Sequence, residues 1–525
     1  MEEIAAAIHR REPIRRVLPG DGRISIDRNL PYLIVYRHPD SDDSGTVRLV
    51  VGEASYLIAD NRAEIPEIVR SIAEAGSEAF GAFLILEIWA GPDPDGGFVI
   101  RCPEGPAPAT VATLEDGLAR LRPEHEVAIE ITEQRQPPGM QPLLSIRESW
   151  DIECLLLGLE IPPMYRAPGH GEPYPVFLRT FRRELSNVIR QAIYEFIRVQ
   201  TRYGVQNYQA LGTRTLQSSV WEADRALSDI ERSYQFLLLV SAINEKESWQ
   251  YFKQHNYERN PEFHHRLLPV DPDLLKRRLF GIALEQIDDP AMAFLLRDKR
   301  EELDKQISML EERGTPNFLA SSMRLYGRVD EPLLNVARTL LEEVGPATGT
   351  VDQKACVDAV GFEKAAAVEF AAYAAKYPEF SSTVEIRPDM AGLLVSAGNL
   401  LIGKDLLLSP DRVDALVQHE VGTHVLTYAN GSAQPLGQLS LGLADYDETQ
   451  EGLAVLAEYL VGGLDLGRIR LLAGRVIAAD SVEQRAEFVE TFRLLRDLEF
   501  SAGAAYGITE RVHACGGFTR DLIYL

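Results

Sequence analysis

The segment His419-Glu420-Val421-Gly422-Thr423-His424 sets the hardest local condition on this chain. Two imidazoles and a carboxylate so close together are the materials of a divalent-metal site, provided both rings reach one point. The usual helical arrangement is H-E-x-x-H, with histidines at i and i+4. Here the pattern is HExxxH, with histidines at i and i+5. An ideal α-helix, at about 100° per residue, sets such side chains roughly 140° apart. A single π-type turn, with about 4.4 residues per turn, brings them to roughly 50°. Gly422 inside the repeat eases such a distortion. The spacing therefore predicts a π-bulge or local unwinding at Val421–Thr423. A regular α-helix there would leave only two unrelated histidines on one helix.

The flanks suit a buried helix. Ser409-Pro410-Asp411 reads as N-cap, N1 proline and first-turn acid. Val413, Leu416, Val417, Val421 and Val425 form an apolar stripe, and Asn430-Gly431 reads as a stop. Upstream, Gly392 to Ile402 predicts two short strands around Ala397-Gly398-Asn399. An open strand edge beside such a helix can pair with an extended peptide. Downstream, Glu451 in Thr449-Gln450-Glu451-Gly452-Leu453-Ala454 is a candidate third metal ligand. Asp445 or Asp447 is expected to cap its helix, and Leu453, Val455, Leu456, Tyr459 and Leu460 to form the buried face. Glu458, two turns further on, reads as a surface or supporting residue. With His419, His424 and Glu451 as ligands, Glu420 is the natural general base for a metal-bound water.

Composition narrows the partners. The 525 residues carry 54 basic and 79 acidic side chains, a net charge of −25. That balance argues against nucleic acid or an anionic membrane as partner, since both select basic faces. No run of about eighteen apolar residues is present, so no membrane span is expected. The start, Met1 to Arg16, lacks the apolar stretch of a secretory signal. Cys102, Cys154, Cys356 and Cys515 are scattered without C-x-x-C spacing, which fits reduced thiols in a cytoplasmic protein. Cys515 and His513, at i and i+2, would not face each other on a helix and are a poor nucleophilic pair.

Three regions are expected. Residues 1–150 read as a small α/β domain, with strands at Pro31–Tyr36, Phe83–Trp89 and Val127–Ile131 and a helix at Arg62–Ala75. They contain neither a G-x-G-x-x-G nor a P-loop, and their role is not legible. Residues 151–345 read as mostly helix. There Phe177, Phe181, Leu185, Val188, Ala192, Phe196, Val199 and Tyr203 recur at helical spacing. Arg179, Arg182, Arg183, Arg190, Arg198 and Arg202 read as the solvated face of the same helix, with an acidic-peptide groove as the sharper option. Further helices are expected to open at Asp271-Pro272, Asp289-Pro290 and Thr315-Pro316, the last ending at Gly327. Residues 346–525 hold the metal motif, with a helix near Gly361–Tyr377, a strand at Val384–Arg387 and the hairpin. Helices at Ile469–Ala479 and Val482–Leu498 follow, and Asp521–Leu525 reads as a strand end.

The paired HExxxH and QEGLA motifs resemble those of bacterial QEGLA-motif proteins, relatives of tubulin tyrosine carboxypeptidases of the MATCAP type. Asp304-Lys305-Gln306, Arg313-Gly314-Thr315-Pro316, Leu325-Tyr326-Gly327 and Gly516 to Asp521 are similar to that family as well, and the resemblance covers most of residues 150–525. It implies an α+β, zincin-like metallopeptidase domain with a large helical front half, preceded by the small α/β domain. It also implies zinc held by His419, His424 and Glu451, with Glu420 as catalytic base, and favours Glu451 over Glu458. Relatives carry a longer Gly-rich insertion between Arg511-Val512 and the Phe-Thr-Arg-Asp segment and continue past the final Tyr-Leu.

The expected chemistry is zinc-dependent peptide hydrolysis, by a carboxypeptidase acting on a peptide or protein C-terminus. Tyr326, Tyr428, Tyr446 and His513 are candidates to steady the carbonyl oxygen. Arg511 and Arg520, with Arg324 and Arg328 behind them, are candidates for the terminal carboxylate, each weighed against a structural ion pair. Two other readings of the same residues stand beside this one: a zinc-stabilised regulatory or scaffold protein without turnover, and a non-haem iron enzyme, since two His and one carboxylate also make a facial triad.

Overall fold

The computed structural model describes residues 12–18, 22–37, 44–59, 65–93, 96–102, 108–121, 128–166, 172–214, 216–345 and 356–524, with residues 7 and 10. The chain is mixed α+β and divides into two compact units. The first is Met1–Val220 with Glu285–Phe294, and the second is Trp221–Leu284 with Leu295–Leu525.

The first unit is a small α/β domain built on one eight-stranded sheet. Its strands lie in the order Ile14–Val17, Arg23–Ile26, Ser55–Ala59, Tyr32–Arg37, Phe83–Ala90, Cys154–Ile161, Phe98–Arg101 and Ile129–Thr132. The four from Ser55–Ala59 to Cys154–Ile161 are mutually parallel. Parallel strands covered on both faces read as continuous apolar runs, as Tyr32-Leu33-Ile34-Val35-Tyr36 does. Tyr32, Ile34 and Tyr36 pack toward the helix Pro175–Gln200. Leu33 and Val35 pack toward the helix Ile65–Phe80 on the opposite face. This unit runs past the boundary expected at residue 150. Cys154–Ile161 pairs along its whole length with Phe83–Ala90 and is an inner strand of the sheet. The apolar stripe of Pro175–Gln200 then closes one of its two cores. Val199, placed on that stripe by periodicity, is exposed. Arg190, placed on the solvated face, is buried against Glu53 with Nε–Oε2 at 2.8 Å. Val127 and residues 62–64 of the expected elements lie outside the described residues.

In the second unit, Pro272–Phe280 opens on Asp271, whose Oδ1 accepts from the Leu274 N–H at 3.2 Å. Phe318–Tyr326 ends on Gly327 at φ 80°, a left-handed position that favours glycine. One core forms where Leu466–Glu483, Phe488–Asp497 and Ala502–His513 meet Glu331–Glu343 and Phe252. A second core joins the helix Ala359–Lys376, a three-stranded sheet and the helical segment carrying the HExxxH motif. In that sheet Asn399–Gly403 is central, parallel to Val384–Arg387 and antiparallel to Leu393–Ser396. The hairpin turns on Ala397 at φ 46° and Gly398 at φ 76°, as a two-residue turn with both central φ positive requires. Leu393–Ser396 is therefore an edge strand.

Four local expectations fail here. Arg520–Leu522 is a short 3₁₀ turn where a strand end was expected; Leu525 lies outside the described residues. The helix after the motif runs on to Ser432 through Gly431. A Cβ at Gly431 would lie 1.9 Å from the Leu439 carbonyl oxygen, so this glycine admits a neighbouring backbone and does not stop the helix. The helix Tyr446–Leu460 buries Glu451, Ala454 and Glu458, while Leu453, Leu456, Tyr459 and Leu460 are exposed. Periodicity located its two faces correctly and assigned them the wrong way round, because the polar face is the one turned to the motif. Asp445, at φ 57°, makes no side-chain cap for that helix. Among the described residues no helix is long and apolar enough to cross a membrane.

Candidate metal centre

The HExxxH segment is a π-helix, Glu420–Val425, set between α-helical turns at Val413–His419 and Leu426–Ser432. The distortion required by the i, i+5 spacing is thus present and wider than Val421–Thr423. The Thr423 hydroxyl donates to the Gln418 carbonyl, five residues back, at 3.1 Å. Gly422 keeps ordinary helical φ, and a Cβ there would meet only the flexible end of Gln418. With the extra residue absorbed, the His419 and His424 rings lie 5.1 Å apart, centre to centre, on one side of the helix.

Glu451 reaches them from Tyr446–Leu460. Its Oε2 lies 3.5 Å from His419 Nε2 and 3.5 Å from His424 Nε2. One ligand atom from each of the three residues falls within 4.8 Å of the others, in buried surroundings. The other oxygen, Oε1, accepts from Arg520 NH1 at 3.2 Å, and Arg520 NH2 reaches Asp447 Oδ1 at 2.9 Å. Glu451 Oε2 itself is buried without a hydrogen-bond partner among the described residues. A buried carboxylate oxygen left unsatisfied is costly. Here it faces two imidazole nitrogens at distances too long for hydrogen bonds and suited to a shared ion. The donor set, two neutral imidazoles and one carboxylate, fits a divalent metal with open coordination positions.

Glu458 supports the first histidine. Its carboxylate is fully buried, with Oε1 2.9 Å from His419 Nδ1 and 3.1 Å from Arg468 NH2, and Oε2 2.6 Å from Arg412 NH2. Nδ1 makes no well-directed hydrogen bond, but a carboxylate this close favours the proton there and leaves Nε2 for a ligand bond. In the metal-free state, burial alone would lower the His419 pKa, but Glu451 and Glu458 outweigh it and raise it to about 9. The same contacts, with Arg520, hold Glu451 well below the usual carboxylate range against its burial. His419, Arg468 and Arg412 likewise bring Glu458 to about 2. A proton would therefore compete with any metal for the same lone pair. Glu420 sits in the π-turn between the two histidines, buried, its carboxylate in no hydrogen bond or salt bridge among the described residues.

The other candidates divide. Arg520 is bound to Glu451 and Asp447, with its Nε–H buried and unpartnered. Arg511 donates from Nε to the buried Asp521 at 2.8 Å and keeps 37% of its side chain exposed. Both line a cavity of about 390 Å³, bounded also by Gly392, Leu393 and Leu394 of the sheet edge. Burial pushes the Tyr326 hydroxyl far above its ordinary range. His513 Nε2 lies 2.8 Å from Thr491 Oγ1, and burial lowers its pKa to about 4. Tyr428 packs under Gly398 at the hairpin tip, and Tyr446 lies against Gly442. Arg328 pairs with Glu483 at 3.1 Å, and Arg324 is exposed.

Cys515 faces His265, with Sγ–Nε2 at 3.1 Å, and not His513. Burial pushes the thiol up to about 12, and burial with Arg313 brings His265 down to about 4. The pair is thus a neutral thiol beside a neutral imidazole, without the thiolate that nucleophilic catalysis needs. Sequence reasoning left Glu458 undecided and missed Arg412, Arg468 and Tyr524. Tyr524 is half-buried, with Arg475 5.2 Å from its ring centre, and desolvation, with Glu451 nearby, pushes its hydroxyl up to about 12. No spacing rule points to it.

The molecule is thus a two-unit α+β protein whose second unit carries a two-histidine, one-glutamate centre on a π-distorted helix. A family model for the microtubule-associated tyrosine carboxypeptidases matches residues 250–525, just over half of the chain, and the chain belongs to that family. The match takes in the motif helix, Glu451 and the part of the cavity wall between Met390 and Arg520, and begins further along the chain than residue 150. No curated protein matches the chain.

Proposed function

We propose that this chain is a zinc-dependent metallopeptidase with a zincin-like core, acting as a carboxypeptidase on a peptide or protein C-terminus. The observation that carries the reading is the unsatisfied Glu451 Oε2, equidistant from His419 Nε2 and His424 Nε2, with Glu420 in the same turn. The name of its family supports the carboxypeptidase part. His419, His424 and Glu451 would hold the ion. Zinc in such a site supplies a Lewis acid and brings the pKa of a coordinated water toward neutrality. Glu420 takes the proton of the attacking water and delivers it to the departing amine. Arg520 fixes the Glu451 carboxylate, so that Oε2 and not Oε1 is presented to the site. Glu458 holds His419 in the tautomer with Nε2 free. Arg511, tethered through Nε, presents its remaining N–H groups to the cavity for the terminal carboxylate of the substrate. The edge Leu393–Ser396 takes the extended peptide as an added strand. The acidic chain, without a basic face in its composition, is read as a cytoplasmic protein that binds neither nucleic acid nor membrane.

The test is Glu420→Gln. Cleavage of a free-C-terminus peptide library should vanish while elemental analysis still finds one zinc per chain. Retained cleavage in that variant would sink the assignment of the base. The donor set alone also admits iron; metal analysis of anaerobically purified protein with an oxygen-uptake assay separates the two. A biological effect that survives Glu420→Gln but not His419→Ala would favour the scaffold reading.

A further inference from the structure

Glu451 meets the two histidines only if its helix, Tyr446–Leu460, begins in the right place. The residue before that helix, Asp445, has φ 57°, in the left-handed region, and its side chain makes no cap. A residue other than glycine keeps such a backbone when its surroundings hold it there. Glu302, on the helix Pro290–Glu312, does so: its Oε2 accepts from the Asp445 N–H at 3.1 Å. The other oxygen, Oε1, accepts from Lys299 Nζ at 2.8 Å and from Gln306 Nε2 at 3.2 Å. Lys299 is almost wholly enclosed, and its ammonium also donates to Glu231 Oε1 at 2.9 Å. The Tyr234 hydroxyl lies 3.3 Å from Gln306 Oε1. Both oxygens of Glu302 are therefore held, by partners that are themselves held.

On the first turn of the helix, Asp447 accepts from Arg520 NH2 at 2.9 Å, and Arg520 NH1 donates to Glu451 Oε1 at 3.2 Å. Asp447 and Glu451 belong to one helix, so Arg520 sets the rotamer of Glu451 more than the start of the helix. The start is tied to a different helix, through Glu302. We propose that Glu302 is a positioning residue for the metal centre: by holding the left-handed turn at Asp445 it fixes where Tyr446–Leu460 begins, and with it the point that Glu451 Oε2 reaches. The inference rests on the reading of His419, His424 and Glu451 as metal ligands, and deepens it by naming the contact that places the third.

The experiment measures the zinc affinity of the full-length protein by competition with a chromophoric chelator. The Tm of chelator-treated protein checks folding. Glu302→Ala should weaken zinc binding about tenfold, the lower end of what a supporting contact to a metal ligand costs. Lys299 keeps Glu231 as its counter-ion in that variant, so no buried charge is stranded. Adding Asp445→Gly should restore the affinity, because glycine adopts a left-handed φ without help. A merely structural Glu302 would lower Tm and gain nothing in zinc affinity from the glycine. With Glu302 intact, Asp445→Ala should weaken binding about threefold and Asp445→Gly should not weaken it; equal affinities in this pair overturn the inference even if Glu302→Ala fails to fold. Wild-type affinity in Glu302→Ala, or a loss that Asp445→Gly does not recover, overturns it while leaving the metal reading standing. A wild type that takes up no zinc overturns both.

Discussion

Each unit of the molecule buries charge, and the two do it to opposite effect. In the N-terminal unit Glu53 is closed on every side: Arg190 Nε donates to Oε2 at 2.8 Å, Ser186 bonds to Oε1, and Arg190 NH2 turns to the Gly52 carbonyl at 3.1 Å. In the C-terminal unit Glu451 is closed on one side only. Oε1 is held by Arg520, and Oε2 faces two imidazoles with nothing between. A saturated buried pair specifies packing, whereas a bare carboxylate oxygen turned to two imidazoles is what a ligand site needs. Burial and charge alone would not separate the two, since Glu53 and Glu451 are both almost wholly enclosed.

Mutations should pull the two regions apart. The largest effect is expected from Glu420→Gln, a loss of about 10²–10⁴ in kcat with little change in Tm; a variant that lost stability in step with activity would place Glu420 with the structural charges. Next comes Arg190→Met, which strands Glu53 and should cost roughly 3–5 kcal/mol of stability in the N-terminal unit. Chemical denaturation would register it, while zinc content stays at the wild-type level. The double change Arg190→Met/Glu53→Leu should recover most of that stability, which no double change at the metal centre could do for activity. Glu458→Gln should weaken zinc binding about 10–100-fold through His419, measured by competition with a chromophoric chelator; an unchanged affinity would reduce Glu458 to a packing residue.

The smallest effect is in pH. In chelator-treated protein His419 rises from 6.5 to about 9 on folding. A raised pKa means stability that is complete below the unfolded value and lost as pH climbs through about 9. The Tm of metal-free protein should therefore fall between pH 6.5 and 9 more steeply than that of zinc-loaded protein. Parallel curves would argue against a shared Nε2.

Much of the candidate site was legible from spacing. The i, i+5 histidines called for a π-bulge or local unwinding, and the helix carries a π-turn there. The hairpin was legible from its turn residues and the strand Val384–Arg387 from its flanks. The helix of Glu451 was not. Leu453, Leu456, Tyr459 and Leu460 make the stripe that periodicity assigns to a core, yet they are exposed, and Glu451 and Glu458 take the inside. Periodicity divides a helix into two faces; which face is buried depends on what lies opposite, and opposite here are two histidines and the arginines Arg412 and Arg468. The same limit placed Arg190 in solvent, because Glu53 lies far away in sequence and shares no local pattern with it.

By itself the sequence determined the chemical identity of the centre: the residue types, their offset along one helix, and the backbone distortion that the offset compels. Those follow from bond geometry within a few residues. Only the tertiary structure decided which oxygen of Glu451 is left bare, which carboxylate steadies His419, and that Glu302 reaches the turn at Asp445. Each is a contact between segments distant along the chain, set by how whole elements pack and not by any pattern within them.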